Sequence, residues 1–351
     1  RDLLLETPAT ILPELTQNNA TFTQFQLLKA ISKRVGDDAP LVAQVFEKAL
    51  QESIVVGEGV DGQIRYTSPT YKALEENAVV IVADLGTKSF AQHHLNRDTT
   101  EAYLATHCSH LSPEQQAAVK GLVQEQSLSV LVGRAGAGKT TTLKVVSDLY
   151  KEAGHKVIGT SLSAMAADNL GREAGIQAAT LHSWIYQWER YQAAQDQFLS
   201  FDSIMEEGVF KQLDWYKDLK RFEESALTKD TVLIVDEAGM VGTRLWNELL
   251  VHVNKSGAKL IAVGDDNQFK AIEAGDFFRE IQTHAQNYSL NTIHRQKQDW
   301  MKDASRNLAN LEVAEALSAY EQRGHIHQTL KENLDEQIGT AYVAAYQKDK
   351  G

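Results

Sequence analysis

A chain of 351 residues, 43% of them hydrophobic and 23% charged, has the composition of a globular protein with two or three domains, and no stretch suggests a transmembrane segment. The net charge of −12 argues against a protein that coats nucleic acid through bulk charge, although a local basic channel stays compatible with it. The single Cys108 excludes an internal disulfide, and because no signal-peptide pattern opens the sequence, we expect a cytoplasmic location without membrane insertion.

The sequence opens with a segment that lacks a clear helix or strand pattern. Residues 1–20 contain Pro8, Pro13 and a polar stretch, and they predict an extended lead-in. A helical pattern follows, in which four apolar residues share one face: Phe22, Phe25, Leu28 and Ile31.

The next segment predicts a small α+β unit. A second helical pattern covers residues 41–50, and two short strands, Ile54–Val56 and Ile64–Tyr66, are joined by a glycine-rich turn. The order helix, helix, strand, turn, strand predicts a winged-helix-like domain over residues 21–75. Such units bind nucleic acid or serve as protein-packing modules, and the sequence favours neither role.

Residues 76–110 predict a helical connector to the rest of the chain. Four histidines in this segment invite interpretation as metal ligands: His93, His94, His107 and His110. No cysteine or carboxylate set completes such a site, so solvated helix residues are the favoured interpretation.

From residue 111 onward the sequence alternates between strand and helix patterns. Candidate strands cover residues 128–133, 156–160, 231–235 and 259–263. This alternation predicts an α/β fold with a parallel sheet and helices on both of its faces.

Residues 133–140 read Gly-Arg-Ala-Gly-Ala-Gly-Lys-Thr, which fills every position of the phosphate-loop (P-loop) pattern Gly-x-x-x-x-Gly-Lys-Thr. The glycines let backbone N–H groups approach the phosphates, Lys139 would pair with the β- and γ-phosphates, and the Thr140 hydroxyl would ligate Mg²⁺. An apolar strand precedes the motif and a helix follows it, so the helix N-terminus points at the anion. The residues predicted to bind the nucleotide in this loop are Gly133, Ala135, Gly136, Ala137, Gly138, Lys139, Thr140 and Thr141.

Two other predicted strands end in polar residues suited to nucleotide hydrolysis. The apolar run 232–235 leads to Asp236, which would hold Mg²⁺ directly or through water, and to Glu237, which would orient or deprotonate the attacking water. The run 259–263 leads to Gln268, whose amide is placed to sense the γ-phosphate or else belongs to a polar turn.

Two residues outside these strands complete the predicted nucleotide site. Gln115 follows a helix start, with Ser112 as N-cap and Pro113 at the first position, and its amide has the donor and acceptor needed to read the adenine edge. Arg295 would stabilise transition-state charge as arginine fingers do, or it is an ordinary surface arginine.

Six segments in this order resemble the motifs of superfamily 1 DNA helicases of the RecD-like branch, and more narrowly the helicase portion of TraA-type (MobF-like) conjugative transfer relaxases. They are Leu-Ser-Pro-Glu-Gln-Gln-Ala-Ala-Val (111–119), the P-loop (133–141), Thr-Leu-His-Ser-Trp (180–184), Val-Asp-Glu-Ala-Gly-Met-Val (235–241), Ala-Val-Gly-Asp-Asp-Asn-Gln-Phe-Lys-Ala-Ile-Glu-Ala-Gly (262–275) and Ile-His-Arg-Gln (293–296) with Asp-Trp (299–300). The resemblance covers residues 111–325 well and implies a RecA-like ATPase domain 1A there. It extends more loosely to the winged-helix-like segment.

The resemblance implies an ATP-dependent DNA helicase or translocase that uses ATP and Mg²⁺ and moves 5′ to 3′ on single-stranded DNA, with conjugation or relaxosome proteins as further candidate partners. In such enzymes Gln115 would contact adenine, while Gln268 and Arg295 would contact the γ-phosphate and couple it to DNA. The residues that would touch single-stranded DNA are Ser163, Thr180, His182 and Trp184. For Trp184, a position in the hydrophobic core is an equal alternative.

The sequence departs from the family pattern in three respects. Ala164-Met165 stands where family members usually carry a Gly-Lys pair, which puts a cation near the DNA backbone in doubt. A long, acidic and aromatic segment at about 185–230 predicts a helical insertion. Residues 326–351 suggest only the truncated start of a following segment, without a second RecA-like domain, so the alternative function is an ATP- or DNA-binding remnant without efficient turnover.

Other P-loop classes fit the sequence less well. A GTPase would need an Asn/Thr-Lys-x-Asp guanine reader, and residues 254–257 lack its carboxylate. A transporter ATPase would carry its Leu-Ser-Gly-Gly-Gln signature after the loop, whereas the similar residues 111–115 lie before it.

Overall fold

The computed structural model divides the chain into two compact units, Arg1–Thr292 and Ile293–Gly351. The residues described are 2–36, 38–90, 95–134, 136–200, 213–265, 276–292, 296, 298–326 and 329–349. Among them, no helix is both long and apolar enough to cross a membrane.

The described residues of the first unit form eight strands in two sheets. They are β1 Ile54–Glu58, β2 Ile64–Thr67, β3 Leu128–Gly133, β4 Lys156–Ser161, β5 Gln177–Thr180, β6 Thr231–Val235, β7 Lys259–Gly264 and β8 Gln286–Leu290. β1 and β2 form an antiparallel pair, and the other six form one sheet in the order β5-β4-β6-β7-β3-β8. All neighbours in the six-stranded sheet are parallel, which confirms the predicted α/β class.

Helices make up most of the remaining described chain. In the first unit they are α1 Asp2–Glu6, α2 Leu12–Leu15, α3 Gln24–Val35, α4 Ala39–Gln51, α5 Pro69–Thr87, α6 Arg97–His107, α7 Pro113–Leu122, α8 Lys139–Glu152, α9 Ala164–Ala174, α10 Leu181–Ser200, α11 Asp214–Phe222, α12 Thr243–Ser256 and α13 Phe277–His284. In the second unit they are α14 Asp299–Ala309, α15 Val313–Glu321 and α16 Leu334–Asp349. Short 3₁₀ turns cover Pro8–Ile11, Glu223–Ser225, Ala238–Met240 and Lys331–Asn333.

Both faces of the parallel sheet are buried under helices. Successive strand residues point to opposite faces, so Val130 and Leu131 of β3 belong to two different hydrophobic clusters. The cluster around Val130 includes side chains of α5, α10, α12 and α13, and the cluster around Leu131 includes side chains of α6, α7, α8 and α9. This two-sided burial explains why the central strands read as continuous apolar runs.

The two edge strands, β5 and β8, were not predicted from the sequence. Their sequences, Gln-Ala-Ala-Thr and Gln-Asn-Tyr-Ser-Leu, contain no apolar run, and most of their residues are exposed or only partly buried. An edge strand pairs on one side only, so its sequence carries less of the buried-strand pattern than a central strand does.

The N-terminal segment differs from the expected extended lead-in. Residues 2–15 contain α1, a 3₁₀ turn and α2, and the prolines are the first residue of the 3₁₀ turn and the second residue of α2, where a missing N–H is not needed. Ile11 and Leu12 are fully buried and join a third hydrophobic cluster with α3 and α4. The prolines therefore lie in the first turns of helical elements in this segment, and the extended prediction was wrong.

The buried face of α3 also differs from the predicted apolar face. Thr23 caps α3 through a reciprocal pair of hydrogen bonds with Gln26, so Phe22 precedes the helix and pairs with Tyr66 of β2. Phe25 is 70% exposed, and the buried face of α3 consists of Leu27, Ile31 and Val35. The winged-helix-like assignment of residues 21–75 stays a prediction.

The acidic and aromatic segment near 185–230 contains most of α10 and the whole of α11, and residues 201–212 lie outside the described part. Trp188 of α10 is buried, and its indole N–H donates to the Ser225 carbonyl at 2.9 Å. Its ring stacks on Trp184 with centroids 6.0 Å apart. Trp188 thus packs into the hydrophobic core of the sheet, whereas Tyr186 and Phe198 of the same segment are exposed.

Candidate nucleotide and DNA site

The P-loop joins the end of β3 to the start of α8. Gly136 and Gly138 adopt φ angles of +80° and +83°, in the left-handed region that side-chain-bearing residues rarely adopt. Gly138 is the N-cap of α8, and its carbonyl accepts from both the backbone N–H and the hydroxyl of Thr142. The sequence pattern therefore corresponds to a backbone conformation that only glycine adopts without strain.

Lys139 lies in the first turn of α8, and its side chain folds back over the loop. Its ammonium group donates to the Gly133 carbonyl at 2.6 Å. A Cβ atom at Gly133 would lie 3.0 Å from the Lys139 Cγ, so this glycine leaves room for the lysine side chain. Thr140 and Thr141 follow in the same turn, where free N–H groups and the positive end of the helix dipole face outward.

Asp236 follows the last residue of β6, which lies between β4 and β7. Its N–H donates to the Thr160 carbonyl at 2.9 Å, and its carboxylate accepts from the Glu237 N–H at 2.9 Å. Burial raises the pKa of Asp236 above its ordinary value, while that hydrogen bond and the charge of Lys139 act in the opposite direction. The carboxylate and the P-loop lysine are therefore close enough to interact.

Glu237 has an unusual backbone conformation. Its φ of +55° and ψ of +36° lie in the left-handed region, which is rare for a residue with a side chain. Its carboxylate accepts a hydrogen bond from the Ser161 hydroxyl at 3.1 Å. Ser161 ends β4, is fully buried, and was not singled out from the sequence, where it stands 76 residues before its partner.

Gln115 lies next to the P-loop, but its amide is already engaged. The amide oxygen accepts from the Ser112 N–H at 3.0 Å in a reciprocal capping box, and the amide nitrogen donates to the Gly138 carbonyl at 3.4 Å. Gln115 is 5% exposed. It thus ties the start of α7 to the P-loop, and the reading of adenine by this side chain stays a prediction.

Glu114, the neighbour of Gln115, was not assigned a role from the sequence. Its two carboxylate oxygens accept from the backbone N–H groups of Asn291 and Thr292, at 2.6 and 3.1 Å. Partial burial raises the pKa of Glu114, but these hydrogen bonds outweigh it and hold the pKa below its ordinary value. Glu114 therefore fixes the chain just after β8 to the start of α7.

Some predicted site residues cannot be placed. Ala135, Gln268 and Arg295 lie outside the described residues, as do His93 and His94. His107 and His110 line a cavity of about 400 Å³ together with Thr140 and Lys144. Within the described ranges, no group of three or more His, Cys, Asp or Glu side chains forms a metal-binding cluster.

Three of the four residues expected to touch DNA are accessible at the carboxyl edge of β4 and β5. Ser163 and His182 are exposed, and Thr180 is partly buried opposite Ser161 in the β4–β5 register. Ser163 caps α9 by accepting from the Ala166 N–H, and the Thr180 hydroxyl accepts from the Ser183 N–H. Their contact with DNA stays a prediction.

Trp184 is a core residue, so its expected contact with DNA is wrong. It is 1% exposed, and its indole N–H donates to the Gly159 carbonyl of β4 at 2.9 Å. A buried ring that also stacks on Trp188 offers no face to a nucleobase. The aromatic pattern of residues 180–184 could not separate these two roles.

We expect Trp184→Phe to lower the free energy of unfolding by about 1 kcal/mol, because the buried hydrogen bond from the indole N–H to the Gly159 carbonyl is lost. Affinity for single-stranded DNA should stay unchanged. Urea unfolding and fluorescence-anisotropy titration with an oligothymidylate measure the two quantities. Lost DNA affinity with unchanged stability would contradict the core assignment, and Tyr186→Phe on the exposed side of α10 is the control.

Comparison with known proteins identifies the family of the chain. The AAA domain family matches residues 110–331. The probable conjugal transfer protein TraA of Sinorhizobium fredii is 30% identical over 332 residues, which are 91% of this chain and 26% of that protein. The ATP-dependent RecD2 DNA helicase of Deinococcus radiodurans is 28% identical over 183 residues, 52% of this chain and 22% of that protein. The crystal structure of Pif1 helicase from Candida albicans, 25% identical, has a TM-score of 0.39 and covers 57% of this chain and 44% of that chain.

The chain spans about a quarter of the length of the two curated relatives. The family match covers the parallel sheet, the P-loop and the Asp236–Glu237 pair. The chain belongs to the AAA domain family, and it is similar to parts of the TraA conjugal transfer protein and of the RecD2 DNA helicase.

Proposed function

We propose that this chain is the ATP-dependent DNA helicase or translocase module of a conjugative transfer relaxase. It couples ATP hydrolysis to 5′-to-3′ movement along single-stranded DNA, in the cytoplasm and together with other proteins of the conjugation machinery. The direction of movement rests on the resemblance alone. One of the two relatives is named as a conjugal transfer protein and the other as a DNA helicase, and both names support this assignment.

The observation that carries the proposal is the proximity of the P-loop lysine to the acidic pair that follows β6. The Lys139 charge acts on the Asp236 carboxyl, and Glu237 is the next residue along the chain. Phosphoryl transfer needs this combination, because one group must neutralise the phosphates, one must hold the metal, and one must orient the attacking water. A phosphate-binding loop without the acidic pair would support nucleotide binding only.

Mg²⁺ fits the oxygen ligands at this site. Thr140 offers a hydroxyl and Asp236 a buried carboxylate, both hard ligands, and Mg²⁺ commonly takes few protein ligands while it keeps water and phosphate oxygens. Bound there, the ion would neutralise negative charge on the phosphates. The chain's own groups would then divide the work, with Lys139 on the phosphates and Glu237 on the water.

The remaining proposed groups extend the site on two sides. Gln268 and Arg295 would contact the γ-phosphate, and Gln115 would hold the loop and contact adenine. DNA would pass over Ser163, Thr180 and His182 at the carboxyl edge of β4 and β5. Met165 is 76% exposed next to Ser163, which offers DNA an apolar surface where the family usually places a lysine.

Glu237→Gln tests the proposed chemistry. We expect the turnover number for ATP with saturating single-stranded DNA to fall about 100-fold, because an amide keeps the shape of the carboxylate but cannot take a proton from water. Affinity for a non-hydrolysable ATP analogue should change by less than about threefold, because Glu237 does not bind the phosphates in this proposal. A coupled phosphate-release assay and calorimetric titration measure the two quantities.

Glu152→Gln, at the exposed end of α8, is the matched control and should behave as the wild-type protein. Undiminished turnover in Glu237→Gln would remove Glu237 from the reaction. A wild-type protein that binds the analogue tightly but shows no turnover with any DNA would instead identify a nucleotide-binding module.

A further inference from the structure

The hairpin formed by β1 and β2 carries aliphatic side chains that are exposed. Val55, Val56, Val60 and Ile64 are each at least half exposed, and Val60 lies in the turn between the strands. Single aliphatic residues on a surface are ordinary, but four within ten residues of one hairpin are typical of an interaction surface. The proposed nucleotide and DNA sites use none of them, and the sequence left open whether this unit meets nucleic acid or protein.

One face of the hairpin combines aliphatic side chains with a carboxylate. Residues that pair across the ladder share a face, and Val55 pairs with Tyr66 while Glu58 pairs with Ile64. The register shifts between Val55 and Gly57, so β1 has one extra residue there and Glu58 falls on the same face as Val55. A strand laid beside β1 would therefore meet an aliphatic side chain and a carboxylate two ladder positions apart.

The outer edge of β1 is open among the described residues. Its sheet has two strands, and beyond β2 the Tyr66 N–H and carbonyl bond to Phe22 at 2.9 and 2.8 Å. Because Tyr66 uses both backbone groups there, its pair with Val55 is of the non-hydrogen-bonded kind, in which the backbone groups point away from the partner strand. The N–H and carbonyl of Val55 therefore face the open edge, where an added strand would pair with them.

The charge of the hairpin favours a basic polypeptide as the occupant of this edge. Residues 52–67 contain three carboxylates, Glu52, Glu58 and Asp61, and one cation, Arg65, which donates to Asp61 at 2.7 Å. A contact with DNA would need lysines and arginines for the phosphates. A second copy of this chain would bring the same carboxylates and a net charge of −12. An extended segment with a lysine or arginine complements both the edge and Glu58.

We propose that the open edge of β1 docks an extended segment of a partner protein, in which an apolar residue and a lysine or arginine lie two positions apart. The segment adds a strand beside β1, with its apolar residue next to Val55 and its cation next to Glu58. Because β1 is short and contains a bulge, backbone pairing is limited, and these two side-chain contacts set the specificity. The proposal is independent of the proposed ATP chemistry.

The test titrates the full chain into a fluorescent octapeptide, Val-Thr-Lys-Thr-Val-Thr-Lys-Thr, whose valines and lysines share one face of a strand. We expect a saturable rise in anisotropy, and about fivefold weaker binding when glutamates replace the lysines. Alternate N–H groups of a docked strand face β1, so N-methylation of one alternate set of residues should abolish binding and that of the other set should not. No saturable binding, or equal effects of the two N-methylated sets, would overturn the proposal.

Glu58→Lys gives the reciprocal test on the chain itself. We expect the lysine peptide to bind about fivefold more weakly and the glutamate peptide to bind more tightly, because the charge beside the docked side chain is reversed. Glu47→Lys makes the same charge change at an exposed position of α4 and is the control. Equal effects of the two variants would reduce the binding to overall charge and overturn the proposal.

Two measurements test the other occupants. We expect Arg65→Ala to leave the affinity for a mixed-sequence DNA duplex unchanged, and a loss of affinity would make the hairpin a nucleic-acid contact and overturn the proposal. Sedimentation equilibrium should show no dimer through this edge, and a dimer that Val55→Asp abolishes would identify a second copy as the occupant and overturn it as well. ATP turnover with single-stranded DNA should be equal in wild type and Glu58→Lys, so failure of this proposal leaves the proposed function in place.

Discussion

Lys139→Ala is expected to reduce DNA-stimulated ATP turnover about 1,000-fold, the loss associated with removing a donor aimed at developing charge. In the structure the Lys139 ammonium group reaches across the loop to the Gly133 carbonyl, and its charge acts on Asp236. Alanine removes the positively charged side chain that directly follows the last glycine of the P-loop. The measurement is phosphate release at saturating ATP, Mg²⁺ and oligothymidylate.

The matched control for this prediction is Lys151→Ala. Lys151 lies in the last turn of the same helix and donates to the Gly175 carbonyl, far along α8 from the P-loop. It should retain turnover within about twofold, since its charge does not face the phosphates. If Lys139→Ala keeps more than roughly a tenth of wild-type turnover, the loop is not the hydrolytic site that we propose.

The central part of the fold was predictable because each inner strand is buried on both faces. The apolar runs of β3, β6 and β7 follow directly from that burial, and their predicted bounds differ from the observed ones by at most one residue. β5 and β8 were not predictable in this way, because their polar residues lie at the two edges of the sheet. The buried face of α3 was also predicted incorrectly. The Thr23 cap fixes where the helix begins, and this start outweighs the pattern of four apolar side chains.

In the candidate site, too, the features with a local cause were predictable and those that depend on distant residues were not. The P-loop glycines were predictable because a local backbone conformation requires them, and Gly136 and Gly138 adopt it. Ser161 and Glu114 were not predictable, because their partners lie 76 and 177 residues away and meet them only when the sheet is assembled. Trp184 shows the same limit, since its carbonyl partner on β4 decides between core and DNA contact.

These long-range bonds connect the segments that carry the family motifs. Glu114 joins the first motif to the chain after β8, Gln115 joins it to the P-loop, and Ser161 joins the end of β4 to Glu237. Each bond uses a polar side chain at the carboxyl edge of the sheet or at the start of α7. The coupling of ATP to DNA that we propose would pass through few intermediates along this edge.

At the amino-terminal end of the parallel strands, a buried lysine should make the stability of the protein depend on pH through its charge state. Lys259 begins β7, is fully buried, and donates to the carbonyls of Gln124 and Gln126 at 2.8 and 2.5 Å. Burial lowers the pKa of Lys259 to about 7. A neutral amine has two N–H groups, which matches the two carbonyls that it faces.

The direction of the pH effect follows from the two pKa values. The unfolded chain holds a proton on this lysine up to a pH of about 10.4, whereas the folded chain releases it near 7, so between these values the unfolded state binds more protons. The contribution of Lys259 to the free energy of unfolding therefore rises with pH across that window and is constant below it. Between pH 7 and 9 the rise should be about 2 kcal/mol.

Lys259→Met isolates this contribution, since it keeps an unbranched side chain and removes the titrating group. The difference in free energy of unfolding between wild type and Lys259→Met, measured by urea unfolding, should increase from pH 7 to pH 9, and other titrating groups cancel in the difference. Lys151→Met, at an exposed lysine, is the control. A difference that stays constant over this range would mean that Lys259 remains charged in the folded protein, and that the two carbonyls of Gln124 and Gln126 are enough to hold an ammonium group in the core.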